Sequence, residues 1–208
     1  MGGIMRGKGL TMDAIVNAAA ALVVEKGYNK FSVRELAQKL GCKAASLYNH
    51  IDSFDDVNRE VGKLAAKRMN DELEAASMGK ESDKALEALA HEYRHFAKNN
   101  YELYQAIMGL PSLDQNDSLR VGRESLLVMR KVVHQYKISE EDAVNFSRCL
   151  RGALHGFVSY EIAGYYTRKN VPVEGSFQFL IQGYIDWIHR LERADDGNEF
   201  LLFSKREY

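Results

Sequence analysis

Ser32-Val-Arg-Glu-Leu-Ala-Gln-Lys-Leu-Gly41 runs directly into Cys42-Lys-Ala-Ala-Ser-Leu-Tyr-Asn-His-Ile51, and the reading of this stretch decides the fold. Ser32 followed three residues later by Glu35 spells a capping box: the hydroxyl accepts one exposed amide while the carboxylate returns to another. A short helix then runs to Leu40 and turns Val33, Leu36, Ala37 and Leu40 inward. Gly41 supplies the left-handed backbone of a tight turn, and a further helix fits Lys43 to His50. At 100° per residue Leu47 and Ile51 point to the core, which leaves Ala45, Ser46 and Asn49 facing away from it. Helix, glycine turn and short helix make a helix-turn-helix over 32–51.

The flanks extend the same pattern. Thr11 caps a first helix carrying Ile15, Ala18, Ala19, Leu22 and Val23, and Gly27 stops it. Ser53 and Asp56 form another capping box, opening a helix whose apolar face is Val57, Val61, Leu64, Ala65, Met69 and Leu73, toward Ser77. Ala85 to Met108 is helical with a break near Asn99 and Asn100. Gly109 to Asp117, containing Pro111, reads as a loop. Leu119 to Tyr136 is the next helix. Ser139 and Asp142 cap another, bearing Val144, Leu150, Leu154, Phe157, Val158 and Ile162. Arg168 to Gly175, with Pro172, reads as a loop, and Phe177 to Leu191 as the last long helix. The expectation is an all-α chain of an N-terminal three-helix domain over 9–69, a helical domain over 70–195 and a charged tail over 196–208.

Composition agrees with this and narrows the class. A chain of 208 residues with two prolines carries no alternating apolar-polar runs, so strands are not expected. Cys42 and Cys149 stand far apart, unlike a disulfide framework or a four-ligand metal site, and suit a reducing compartment. Met1 to Leu10 has no signal-peptide core, Arg6 occupies the place where a myristoylation signal wants Ser or Thr, and no apolar run approaches a membrane span. A cytoplasmic protein is expected. The net charge is −1, but residues 1–68 hold 11 Lys or Arg against 7 Asp or Glu, whereas the remainder holds 17 against 22. A positive end of this kind suits a polyanion.

A helix the size of 43–50 fits the major groove of double-stranded DNA. Asn49 can bond adenine in a bidentate way, Ala44 or Ala45 can meet a thymine methyl, and Ser46 can serve either kind of base. Lys43, Tyr48 and His50 lie on the flanks and, with Ser32 and Arg34, are placed for phosphates, which set register without reading sequence. Lys39 adds to the basic flank.

The segments Ala-Ala-Ala-Ala-Leu-Val-Val-Glu-Lys-Gly-Tyr, Ser-Val-Arg-Glu-Leu-Ala-Gln-Lys-Leu-Gly and Ala-Ser-Leu-Tyr-Asn-His-Ile, within Thr11 to Val57, resemble the DNA-binding domain of the tetracycline-repressor (TetR) family. Gly27, Ala37, Gly41, Leu47 and Tyr48 occupy its landmarks. Arg-Gly-Ala-Leu-His-Gly-Phe-Val-Ser-Tyr-Glu, at 151–161, is similar to a Trp-His-Gly subgroup, with Leu154 in place of Trp. The resemblance implies a regulator, as a rule a repressor, that binds a palindromic operator as a homodimer and answers to a small-molecule effector. It implies a dimer interface on the last two long helices, with Leu150, Leu154, Phe157, Tyr184, Trp187 and Ile188 as candidates. It also implies an effector pocket, for which Tyr101, Tyr104, Met108, Met129, His155, Phe157 and Tyr160 supply aromatic, thioether and polar groups. Three positions depart from the family: Lys43 replaces a capping Ser or Thr, Ile51 replaces Phe, and Phe54 replaces a Lys.

Two alternatives belong to other classes. His91-Glu92-Tyr93-Arg94-His95 matches His-Glu-x-x-His, the zinc-hydrolase signature in which two imidazoles share a helix face and Glu is the base. The match has three fixed positions and no third ligand, and the opposite face, Leu86, Leu89, Tyr93, Phe96 and Ala97, is that of an ordinary amphipathic helix. The other alternative is a helical adaptor that binds protein. The sequence favours the regulator, with no catalytic residue, cofactor or metal.

Overall fold

A computed structural model describes residues 10–113 and 127–195. Its helices are α1 (Met12–Lys26), α2 (Val33–Leu40), α3 (Ala44–Leu47), α4 (Phe54–Ser77), α5 (Ser82–Asn99), α6 (Tyr101–Leu113), a helical stretch at 127–133, α7 (Glu140–Ile162) and α8 (Val173–Asp195). No strand occurs among the described residues. The tail beyond Asp195, the first nine residues and residues 114–126, including the start expected for the helix at Leu119, lie outside them.

The helices begin where local hydrogen bonding starts them. The Ala14 N–H donates to Thr11 Oγ1 at 3.2 Å. At α2 the Glu35 N–H donates to Ser32 Oγ at 3.3 Å and the Ser32 N–H to Glu35 Oε2 at 2.8 Å. The same reciprocal pair opens α4, where the Asp56 N–H reaches Ser53 Oγ at 3.2 Å and the Ser53 N–H reaches Asp56 Oδ2 at 2.8 Å. Ser139 caps α7 through the Asp142 N–H at 3.1 Å. Each such cap stabilises its helix by about 1 kcal/mol.

Two expected loops are helical in part. Gly109 and Pro111 continue α6 to Leu113, because the buried stripe Leu103, Tyr104, Ala106, Ile107 and Leu110 carries the helix past them. Pro111 removes one i→i−4 hydrogen bond and crowds the carbonyl one turn before it, a cost the packing of that stripe offsets. Val173 to Gly175 already belong to α8, where Pro172 immediately precedes the helix, a position proline favours as a start. The helix expected to end at Tyr136 gives way to turns after residue 133.

The chain forms two compact units, residues 1–68 with 100–122 and residues 69–99 with 123–208. The first therefore contains α6 as well as α1 to α3 and the early part of α4, which departs from a boundary at 69/70. In its core lie Ile15, Ala19 and Val23 of α1, Leu36 of α2, Leu47, Ile51, Val57 and Val61, all buried. Burying one such Leu or Ile contributes about 1.5–3 kcal/mol. α6 is fitted to this unit closely. The Tyr28 N–H donates to Glu102 Oε2 at 2.7 Å, and a methyl added at Gly109 would stand 2.3 Å from the Tyr28 hydroxyl oxygen. Gly62 of α4 has the same tightness: a methyl there would lie 2.7 Å from Leu110 and 2.9 Å from the Ala106 carbonyl oxygen.

In the second unit α5, α7 and α8 pack on one another around Leu86, Leu89, Phe96, Leu150, Leu154, Phe177 and Ile188. The Arg94 guanidinium donates to Glu161 at 2.7 and 2.8 Å and to Glu174 at 2.6 Å, and sits 4.6 Å over the Phe177 ring. The paired guanidinium holds the Glu161 carboxyl below the usual carboxylate range. A second polar cluster ties the start of α5 to the end of α8. His189 Nε2 lies 2.9 and 3.0 Å from the Asp83 oxygens, and Nδ1 lies 2.8 Å from Glu192 Oε2. The Tyr136 hydroxyl donates to Asp83 Oδ1 at 2.9 Å and the Lys137 N–H to Glu192 Oε1 at 2.9 Å.

Both imidazole nitrogens of His189 face carboxylates, so only the imidazolium donates from both, and its pKa is raised by Asp83 first and Glu192 second. A raised folded pKa means that this stabilisation is fully present below the unfolded value near 6.5 and is lost as pH rises through the folded value. The melting temperature of the wild type should exceed that of His189→Gln most at pH 6, and the difference should shrink on the alkaline side. A gap that widens with pH would contradict the assignment.

Candidate nucleic-acid interface

The helix-turn-helix is built as its caps and glycine dictate. Gly41 has φ 67° and ψ 28°, the left-handed turn that ends α2 and re-aims the chain. α3 is shorter than 43–50: its four residues, Ala44–Leu47, are followed by turns in which the His50 and Ile51 N–H groups both donate to the Leu47 carbonyl, at 2.8 and 3.1 Å. Lys43 stands at the N-cap in an extended conformation and makes no side-chain cap bond, the consequence of replacing Ser or Thr.

Around this turn the side chains sort cleanly. Leu47 is 0% and Ile51 3% exposed. Lys43, Ala45, Tyr48, Asn49 and His50 are exposed, and Ala44 and Ser46 are half-buried. Ser32 and Arg34, at the start of α2, are exposed as well. The structure thus places all nine sequence-named residues of this surface in one short segment and at the head of the helix before it.

The cations near this face divide into two groups. Lys26 pairs with Glu35 at 2.5 Å and Lys39 with Glu25 at 3.2 Å, so Lys39 is tied to α1 rather than free on the basic flank. Lys26, with Ser32, draws the Glu35 carboxyl down to about 2. Arg34 and Lys43 have no acidic partner among the described residues. Phe54, which stands where a phosphate-binding Lys is common, turns its ring onto Phe31, centroids 5.1 Å apart and edge to face. That position serves packing.

The residues suggested for an effector pocket differ in exposure and fall in both compact units. Tyr101 and Tyr160 are exposed at 41% and 59%, which sets them at the surface, with Tyr160 against Tyr165. Tyr104 and Met129 are buried, and Met108, His155 and Phe157 are half-buried. Tyr104 and Met108 belong to the first unit, Met129, His155 and Phe157 to the second. Burial, and then Arg151, lowers the His155 pKa.

Of the residues suggested for dimer pairing, Leu150, Leu154 and Ile188 are at most 1% exposed within a single chain, because α5, α7 and α8 close over them. Tyr184 and Trp187 are half-buried against Phe146, centroids 5.6 and 5.3 Å away, and Phe157 packs on Phe177. What the sequence reading missed is an exposed face of the same two helices. It carries Cys149, Gly152 and Tyr160 on α7 and Gly175, Phe179 and Gly183 on α8, with Phe179 83% exposed. The glycines Gly152, Gly156, Gly175 and Gly183 have open space where a side chain would stand.

His91, Glu92 and His95 lie opposite the buried face of α5, formed by Leu86, Leu89, Tyr93, Phe96 and Ala97. Among the described residues no three His, Cys, Asp or Glu side chains are gathered to hold a metal ion, and no helix is long and apolar enough to cross a membrane.

Residues 15–56 match the family model described as bacterial regulatory proteins, tetR family, and residues 86–184 match the tetracyclin repressor-like C-terminal domain. The Trp-His-Gly likeness is not confirmed by these matches. An uncharacterized HTH-type transcriptional regulator of Bacillus subtilis (strain 168), YobS, is 31% identical over 177 residues, 85% of this chain and 92% of the relative. Two solved structures share the fold. A protein of unknown function from Rhodococcus sp. RHA1 has TM-score 0.71 and 19% identity over 90% of this chain and 98% of that one. A TetR variant from Acinetobacter baumannii AYE in complex with minocycline has TM-score 0.62 and 18% identity over 88% and 98%. Matched in both halves and along most of its length, the chain belongs to the TetR family and is a DNA-binding transcriptional regulator rather than an enzyme.

Proposed function

We propose that the chain acts as a homodimeric repressor that reads a palindromic operator through α3 and releases it in response to a small molecule. The observation that carries this is the exposed set Ala45, Asn49 and Lys43 around a fully buried Leu47, in the segment that matches the tetR-family model. Asn49 and Ala45, with Ser46 beside them, read bases. Lys43, Arg34, Ser32, Tyr48 and His50 hold phosphates. Two such surfaces one DNA turn apart, roughly 34–36 Å, enter successive major grooves, which is why a dimer and a palindrome go together.

The glycine-lined face of α7 and α8 is the pairing surface. Glycines let helix backbones approach, and an aromatic as exposed as Phe179 gains most when a partner covers it. The effector is bound in the second unit around Met129, His155 and Phe157, where a burial-favoured neutral imidazole can both donate and accept. The structural neighbour from Acinetobacter baumannii was solved in complex with minocycline, and a ligand-responsive reading of this chain is in keeping with that. A ligand shifts DNA binding by its differential affinity for the two conformations and no more.

Selection from random duplex DNA should return a palindrome; failure of any duplex to bind would favour an adaptor instead. On that site Asn49→Ala should relax preference at one position per half-site with a loss of about 1–3 kcal/mol. Lys43→Ala should weaken binding to all sequences alike and reduce the salt slope by about one. The converse pattern would exchange the two roles.

Sedimentation should show a dimer at micromolar concentration, and Phe179→Glu should raise its dissociation constant at least about tenfold, near 1.4 kcal/mol. A variant as dimeric as the wild type would move the interface elsewhere. Once a thermal-shift screen has found an effector, His155→Ala should blunt the response while ligand-free operator affinity stays within about tenfold. An unchanged response would remove His155 from the pocket.

A further inference from the structure

The second unit holds a surface cleft of about 650 Å³ lined by α5 residues His91, Glu92, His95 and Lys98, and by Lys80 and Glu174 among others. None of its lining residues belongs to the proposed effector or operator surfaces. Two of them are imidazoles one helical turn apart, on a segment now seen to be continuous helix. Side chains at that spacing stand on one face, with Cβ atoms about 5–6 Å apart, close enough for two ring nitrogens to share one ion.

We infer that His91 and His95 form a binding site for one borderline divalent transition-metal ion, of the Zn²⁺, Ni²⁺ or Cu²⁺ class, independent of the regulatory reading above. Both imidazoles line the cleft, and their polar contacts are with neutral carboxamides: Gln178 Nε2 lies 2.7 Å from His91 Nε2, and Asn99 Nδ2 lies 3.0 Å from the His95 ring nitrogens. An amide N–H only donates, so His91 Nε2 presents its lone pair to Gln178, while the Asn99 amide, equally far from both His95 nitrogens, is in line with neither and leaves the lone pair of that ring open. Gln178 and Asn99 are exposed and can swing aside. The His91 ring is braced edge-on to Phe177, centroids 5.3 Å apart, which limits the freedom lost on binding.

Glu92 lines the same cleft and has no ion-pair partner among the described residues, so it is the carboxylate available at the rim. With two protein nitrogens and no third ligand already gathered, water completes the coordination. Such a site is open and of modest affinity, and it carries no hydrolytic machinery. Imidazole nitrogen selects Zn²⁺, Ni²⁺ and Cu²⁺ over Mg²⁺ and Ca²⁺, which prefer oxygen.

The test is calorimetric titration of the full chain with Zn²⁺ and with Mg²⁺ at pH 8, together with the Cu²⁺ electron paramagnetic resonance spectrum. The expected result is one Zn²⁺ per chain, no heat with Mg²⁺, and binding weakened at least about tenfold in both His91→Gln and His95→Gln. The Cu²⁺ spectrum should show two coupled nitrogens in the wild type and one in each variant. His50→Gln, in the operator surface, should leave Zn²⁺ binding unchanged. Absence of Zn²⁺ binding, or binding that survives both substitutions in chains retaining the helical circular-dichroism spectrum, would overturn the inference. Operator selection is a separate experiment, so the two readings fail independently.

Discussion

A helix of four residues cannot hold itself. Fixing the first turn costs several dihedral angles for one hydrogen bond, so isolated single turns are unstable in water. α3 is such a turn, and Lys43 gives it no side-chain cap. Its shape is therefore set from behind, by Leu47 and Ile51 sealed into the core of the first unit. The capping box of α2 and the left-handed Gly41 fix where the chain enters that turn, and the Ser53 and Asp56 pair fixes where it leaves. The exposed surface around α3 is in this sense a product of packing: Leu47 and Ile51 carry the folding, and Lys43, Ala45, Tyr48, Asn49 and His50 are left at the surface.

Signals that act over three or four residues were legible in the sequence. The caps at Thr11, Ser32, Ser53 and Ser139, the turn at Gly41 and the break at Asn100 all depend on a residue and its near neighbours. Gly109 was not legible, because its reason lies in Tyr28, far away in the chain. A glycine that permits close approach looks the same in a sequence as one that permits a turn. Leu150, Leu154 and Ile188 posed the same difficulty from the other side. An apolar stripe announces that a helix face is covered, but not whether its own chain or a partner covers it. The exposed face of α7 and α8 escaped notice because glycine contributes nothing to an apolar stripe.

The membership of α6 in the first unit ties that unit to a segment distant in sequence. Its Glu102 carboxylate holds the Tyr28 N–H in the loop that leads to α2, and Gly109 and Gly62 leave no spare volume against Tyr28, Leu110 and Ala106. Close-packed contacts of this kind do not deform gradually; they hold or they rearrange. A displacement of α6 would thus strain its contacts with Tyr28, in the loop between α1 and α2 that ends at the Ser32 cap. The first compact unit is discontinuous in sequence, with residues 100–122 as its second segment.

Charge in the first 68 residues is likewise better understood as a division of labour than as a sum. Lys26 and Lys39 are paired with Glu35 and Glu25, and these exposed pairs each contribute little to stability. Their effect is to remove two cations from general attraction to phosphate. Arg34 and Lys43, without acidic partners among the described residues, flank the reading turn itself. Phe54, at the head of α4, adds no cation and instead makes an aromatic contact with Phe31. Each cation held in an ion pair or replaced by an aromatic lowers the number of phosphates a surface can neutralise, and with it the gain from counterion release. On the proposed reading, this shifts the weight of recognition from phosphates toward base contacts at Asn49 and its neighbours.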